Sequence, residues 1–232
     1  MAGSTLRLRG PSGREVTVGL PDQARVTAVA AEVRFAGGVY SRGFQIGPRG
    51  YHEFACREVL PATPVDRFLG AGREIVVAAT ADRDTTVVSW LGPFHELLTV
   101  FSGPAPERET LVALFAGLDL DDRPEGLRVR AVVEQVLERI TLTVHGRGTV
   151  TIPGPETARQ VLPKHRGAPT PGGELWRLAL PGRAGSADAR DYLFVVAGPR
   201  GAAEVQLSRD TVASTEELLD WVGGLDVAWA GR

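Results

Sequence analysis

The segment GYHEFACREV, residues 50–59, holds the only cysteine of the chain, Cys56, four residues after His52 and three after Glu53. A histidine and a thiol at that spacing suggest two chemistries. They could share a metal ion, or the imidazole could take the thiol proton and leave a nucleophilic thiolate. Both need the pair on one helical turn, where residues four apart are neighbours. The segment instead reads as a strand, with His52, Phe54 and Cys56 on one face and Glu53 on the other. His52 and Cys56 would then stand about 13 Å apart, too far to ligate one ion. A helical metalloprotease motif needs a second histidine where Cys56 stands. A tetrahedral site would have to recruit His95, His145 or His165. We therefore expect no metal, no cofactor and no catalytic residue here. A lone cysteine beside Ala55 reads as a small buried hydrophobe.

Other reaction chemistries are equally unsupported. The chain has no G-x-S-x-G nucleophile elbow, no phosphate-binding P-loop and no dinucleotide glycine pattern. GPRG occurs at 47–50 and 198–201 and reads as a β-turn. Asp119, Asp121 and Asp122, and further on Asp188 and Asp191, read as solvated loop carboxylates, without the ligand number and fixed glycine of a calcium loop.

The segment GGVYSRGFQIGPRGYHEF, residues 37–54, is the candidate binding element. Glycine-rich loops on rigid scaffolds carry function, and tyrosine and arginine are enriched at binding hot spots. Its candidate residues are Tyr40, Arg42, Phe44, Arg49, Tyr51 and His52. The first 57 residues hold eight arginines against four acids, so this end is locally basic. It suits a protein partner or an anionic ligand. The competing reading is a long hairpin with its aromatic residues in the core.

These residues must be positioned by a strand-dominated framework. Twenty-eight glycines and 16 prolines divide the chain into short segments. Strand-like runs occur at 5–9, 14–20, 31–35, 74–80, 85–91, 96–101, 140–145, 149–152, 175–180, 192–197 and 203–208. Helical spacing appears at 107–118, with Leu111, Leu114, Phe115 and Leu118 in phase, and at 215–225, with Leu218, Trp221, Val222 and Leu225. Ser214 and Glu217 form a capping-box signature before the second helix. Val133, Val136, Leu137 and Ile140 predict a third helix at 130–140, weakened by its β-branched residues. Residues 90–120 and 196–227 share one plan: a strand, a Gly-Pro turn, a second strand, and a helix ending in Gly-Leu-Asp. This implies an internal duplication. The expected fold is α+β and β-rich, a duplicated unit of antiparallel strands followed by one amphipathic helix. The first repeat would span 1–130, with an inserted loop at about 26–55, and the shorter second repeat 136–232.

Global properties narrow the function. The 232 residues carry a formal net charge of −2, and the sequence pI is about 6.1. Nothing there attracts nucleic acid, which is not an expected partner. No apolar run approaches the roughly 18 residues that span a bilayer, so no membrane association is expected. The N-terminal segment lacks the apolar stretch of a secretion signal, and a single cysteine suits a reducing compartment. Twenty-five arginines against one lysine point to a GC-rich bacterial genome. The expectation is a non-enzymatic, cytoplasmic protein-binding or structural subunit that docks other protein subunits through duplicated β-rich faces and the 37–54 segment. The alternative is a small-molecule enzyme or ligand-binding protein with a pocket between the repeats, using His52, His95 and Arg42.

Overall fold

A computed structural model describes residues 3–22, 24–37, 40–70 and 72–231. The chain runs through β1 (Ser4–Arg9), β2 (Glu15–Leu20), β3 (Val26–Gly37) and β4 (Tyr40–Pro48). A short helix α1 (Tyr51–Phe54) then continues into a π-turn (Ala55–Val59). Next come β5 (Ala62–Gly70), β6 (Arg73–Thr80), β7 (Thr85–Leu91), β8 (His95–Ser102) and helix α2 (Arg108–Ala116). There follow β9 (Leu118–Arg123), β10 (Gly126–Ala131), β11 (Glu134–Val144), β12 (Gly148–Pro153), β13 (Ala168–Thr170) and β14 (Gly173–Ala179). The chain closes with β15 (Tyr192–Gly198), β16 (Gly201–Leu207), helix α3 (Thr215–Gly223) and β17 (Asp226–Trp229). The protein is β-rich, and its strand pairs are antiparallel.

Two compact units emerge. The mid-chain unit takes residues 11–13 and 30–138; the chain-end unit takes the described residues of 1–10, 14–29 and 139–232. In the mid-chain unit the strands lie in the order β3-β4-β8-β7-β6-β5, accompanied by the β9–β10 pair. In the chain-end unit the order is β13-β14-β15-β16-β12-β11, accompanied by β1-β2-β17. The long strands β3 and β11 each begin in one unit and end in the other.

The mid-chain core explains its sequence. One sheet face supplies Val33, Phe35, Phe44, Ile46, Ile75, Val77, Val88, Trp90 and Leu97, covered by Leu111 and Phe115 of α2 and by Leu127 and Val129 of β10. The opposite face carries Ala78, Val87 and Leu98, covered by Ala55 and Cys56. Strands β6 and β7 are thus buried on both faces, which is why EIVVAAT and TTVVSWL run apolar without alternation. The edge strand β5 is blunted by Pro64, a bulge between Pro64 and Asp66, and ion pairs of Asp66 with Arg108 and Arg67 with Glu74.

Three expectations are corrected. The helix expected at 130–140 is not formed; β10 ends at Ala131, a bend at 132–133 follows, and β11 begins at Glu134, where from Glu138 onward Ile140, Leu142 and Val144 alternate inward and the β-branched residues fit the pleat. The segment at 26–55 is no loop; β3 and β4 pair along seven residues, from Ala31–Ile46 to Gly37–Tyr40. Residues 50–59 are helical, not a strand. Helices occur at α2 and α3, and Ser214 caps α3: its Oγ accepts from the Glu217 amide at 3.2 Å, while Glu217 Oε2 accepts from the Ser214 amide at 2.8 Å.

Candidate functional site

Two glycines make the turn from β4 into α1. Gly50 sits at φ 88°, a left-handed conformation that glycine adopts freely. Gly47 lies under Tyr51, where a Cβ would stand 2.2 Å from the ring's Cγ. The helical turn then places His52 and Cys56 on one side, facing β7 and β8. Glu96 of β8 fixes its start, accepting from the Gly50 amide at 2.9 Å through Oε1 and from the His52 amide at 2.6 Å through Oε2.

Inside this brace, His52 Nδ1 lies 2.8 Å from Ser89 Oγ. His52 is 4% exposed and Ser89 0%. Burial, the largest influence, lowers the His52 pKa below its ordinary 6.5; Glu96 partly opposes this and Arg67 adds to it. Burial also raises the Cys56 thiol above its ordinary 9.0. The imidazole is therefore neutral and the thiol protonated near neutrality. Cys56 Sγ stands 3.8 Å from both ring nitrogens. A point equidistant from the two lies on neither nitrogen's hydrogen-bond axis, so the geometry is not that of a thiolate–imidazolium pair. Ser89 offers a substrate no path. The cluster is a buried polar network that fixes α1 on the sheet.

A second dyad sits at the β7–β8 turn. Asp122 of β9 accepts from His95 Nδ1 at 2.7 Å through Oδ1, and from the Phe94 and His95 amides at 2.9 and 3.1 Å through Oδ2. Gly92 permits this approach, since a Cβ there would lie 2.4 Å from Asp122 Oδ2. Asp122 is thus a buried brace, not a solvated loop carboxylate. Asp191 is likewise buried, bonded to Ser186 Oγ at 2.7 Å and paired with Arg209.

The other candidate residues scatter. Phe44 is core, with ring centroids 6.3 Å from Phe35 and 6.5 Å from Phe115. Arg42 lies over the Phe101 ring at 4.1 Å. Tyr51 stacks on Phe54 and donates to Gln45 Oε1 at 3.0 Å. Burial, then the charge of Glu32, raises the Tyr51 pKa above its ordinary 10.0. Arg49 is exposed, and its amide donates to the Phe94 carbonyl at 3.2 Å. The side chain of Tyr40 lies outside the described residues. His52, His95 and Arg42 each engage different partners and do not converge on one site. Among the described residues no group of three His, Cys, Asp or Glu could hold a metal ion.

Sequence reasoning missed Ser89 and Glu96, read Asp122 as solvated rather than as the partner of His95, and did not single out two outward aromatic residues. Phe54 is 48% exposed and Phe94 45%. The chain-end unit holds a cleft of about 1010 Å³, lined among others by Asp22, Arg25, His145, Arg147 and Arg209. Two of its arginines are already neutralised, Arg147 by Asp22 and Arg209 by Asp191. No helix among the described residues is long and apolar enough to cross a membrane. Searches of protein families, curated proteins and solved structures gave no match to this chain.

Proposed function

We propose that the protein is a non-enzymatic protein-binding subunit of a cytoplasmic assembly and docks its partner through the α1 side of the mid-chain unit. The observation that carries this reading is the outward placement of Phe54 and Phe94 on two segments that cannot relax inward. Phe54 rides on a turn whose start is tied to Glu96, and Phe94 has its amide tied to Asp122. The Arg49–Phe94 main-chain bond joins the two segments, and Arg49 adds an exposed guanidinium. Aromatic and arginine side chains held rigid before binding are the usual anchors of protein interfaces, because little conformational entropy remains to be lost.

The same reading takes the framework as an internal duplication. The strand order β3-β4-β8-β7-β6-β5 recurs as β11-β12-β16-β15-β14-β13, and the last hairpin of each set leads to a helix and then a strand. Gly92 and Pro93 correspond to Gly198 and Pro199 in the hairpin turns. By the same correspondence Ser89 matches Val195, Glu96 matches Ala202 and Phe94 matches Arg200. On this reading the second copy lacks counterparts of Ser89, Glu96 and Phe94, which supports docking by the mid-chain unit.

The test is tagged co-purification from the native host at low salt, comparing the wild type with a Phe54→Ser/Phe94→Ser variant. A stoichiometric protein partner lost in the variant and retained in Cys56→Ala supports the reading. A wild-type protein that purifies without a stoichiometric partner, or a partner that the double variant keeps, sinks it.

A further inference from the structure

The β4–β8 ladder starts at Pro48–His95 and stops at Gln45–Leu98. Continued in the same register, it would pair Gly43 with Val100, Arg42 with Phe101 and Ser41 with Ser102. The strands instead part there, although β8 stays laddered to β7 as far as Ser102 and β4 to β3 as far as Tyr40. The gap is a cleft of about 320 Å³, lined by Arg34, residues 41–43 and residues 99–102. Thr99 Oγ1 spans its inner end, donating to the Gly43 carbonyl at 2.9 Å.

The chemistry of the lining is one-sided. Arg34, Arg42, Ser41, Thr99 and Ser102 are among its lining residues, and among the described residues no carboxylate lines it. Glu32, two residues along β3 on the same face as Arg34, is not part of the lining. Arg42 sits opposite Phe35, on the core face of β4, where its guanidinium stacks 4.1 Å over Phe101. Its Nε is buried and has no hydrogen-bond partner among the described residues. A buried donor without an acceptor is costly, and an anion in the cleft is the species that would satisfy it. Arg34 sits opposite Gly43, and the missing side chain lets it lie across β4; a Cβ there would be 4.0 Å from Arg34 Nε. The two guanidiniums therefore approach the gap from opposite faces of the strand pair.

We infer that this gap is an oxyanion site that takes the phosphate group of a small phosphorylated molecule. A planar carboxylate is satisfied by one bidentate arginine, whereas a tetrahedral phosphate accepts from several directions, as two opposed arginines and the hydroxyls of Ser41 and Ser102 would supply. The cleft volume, near the lower end of small-ligand pockets at about 300 Å³, leaves room for a modest organic body beyond the phosphate. This inference does not depend on the docking reading, since Arg34 and Arg42 take no part in the Phe54–Phe94 patch.

The experiment titrates the full chain with inorganic phosphate and with pyrophosphate at constant ionic strength, read by ³¹P NMR and thermal shift, with acetate as the carboxylate arm. Saturable binding of phosphate or pyrophosphate, weakened at least about tenfold in Arg34→Gln and in Arg42→Gln, supports the site; tenfold is the scale of one lost charge-assisted contact. Arg177→Gln, which removes an arginine stacked on Tyr192 in the chain-end unit, should bind like the wild type. If Arg42→Gln does not fold, the exposed Arg34 carries the test alone. No saturable binding, equal binding of acetate, or phosphate binding that survives Arg34→Gln overturns the inference.

Discussion

Substituting Ser89 by alanine removes the hydrogen-bond partner of His52 Nδ1 at a site water does not reach. The two atoms are 2.8 Å apart, and the residues are 4% and 0% exposed. An orphaned polar nitrogen there costs about 1–3 kcal/mol. His52→Leu orphans Ser89 Oγ instead, at a similar cost of about 1–3 kcal/mol, with little change in side-chain volume. The double variant leaves neither atom unpaired at this contact. Its loss should fall below the sum of the single losses by about 1–2 kcal/mol, the range expected for two groups in direct contact. The measurement is urea unfolding at neutral pH for the four proteins of the cycle, followed by circular dichroism, with equal m-values as the condition for comparison. Losses that add within about 0.5 kcal/mol would falsify the coupling and with it the account of this network as a joint brace for α1.

Three further outcomes follow from the same structure. The His52 pKa is lowered, so above pH 6.5 the ring is neutral in both the folded and unfolded chains and its contribution is complete. As the pH drops below 6.5 the unfolded chain binds a proton first, so stability declines until the lowered folded pKa is passed. Urea midpoints on both sides of pH 6.5 should show this decline in the wild type and a shallower one in His52→Leu; equal slopes refute it. Cys56, raised by burial, works in the opposite direction: stability is lost above pH 9.0, and Cys56→Ala should remove that component. At α3, Ser214→Ala deletes the capping box and should cost about 0.5–2 kcal/mol in thermal or urea unfolding. A loss within error would show that packing of Leu218, Trp221 and Val222 alone sets the start of that helix.

Local sequence made some elements legible. The Ser214–Glu217 signature and the 3.6-residue spacing of Leu218, Trp221 and Val222 mark α3 because cap and stripe both lie within one helix. The runs in β6 and β7 mark strands, since β-branched residues between turn signals favour the pleat over a helix. Residues 130–140 were ambiguous for a physical reason: Val133, Val136 and Ile140 suit a helical stripe, while Ile140, Leu142 and Val144 suit alternation. The strand wins because β12 supplies a ladder from Arg139–Pro153 to Val144–Gly148.

The sequence by itself determined that this is a β-rich chain punctuated by glycine and proline, with helices near 108–116 and 215–223, because those features rest on neighbours within a few positions. Only the tertiary structure decided what His52, Cys56, His95 and Arg42 do. His52 meets Glu96 across 44 positions and Ser89 across 37, and His95 meets Asp122 across 27. No local periodicity encodes such partners. The helical form of residues 50–59 depends on that distant carboxylate and on the left-handed turn at Gly50. The cleft beside Arg42 exists because two strands part at a register that only their pairing defines.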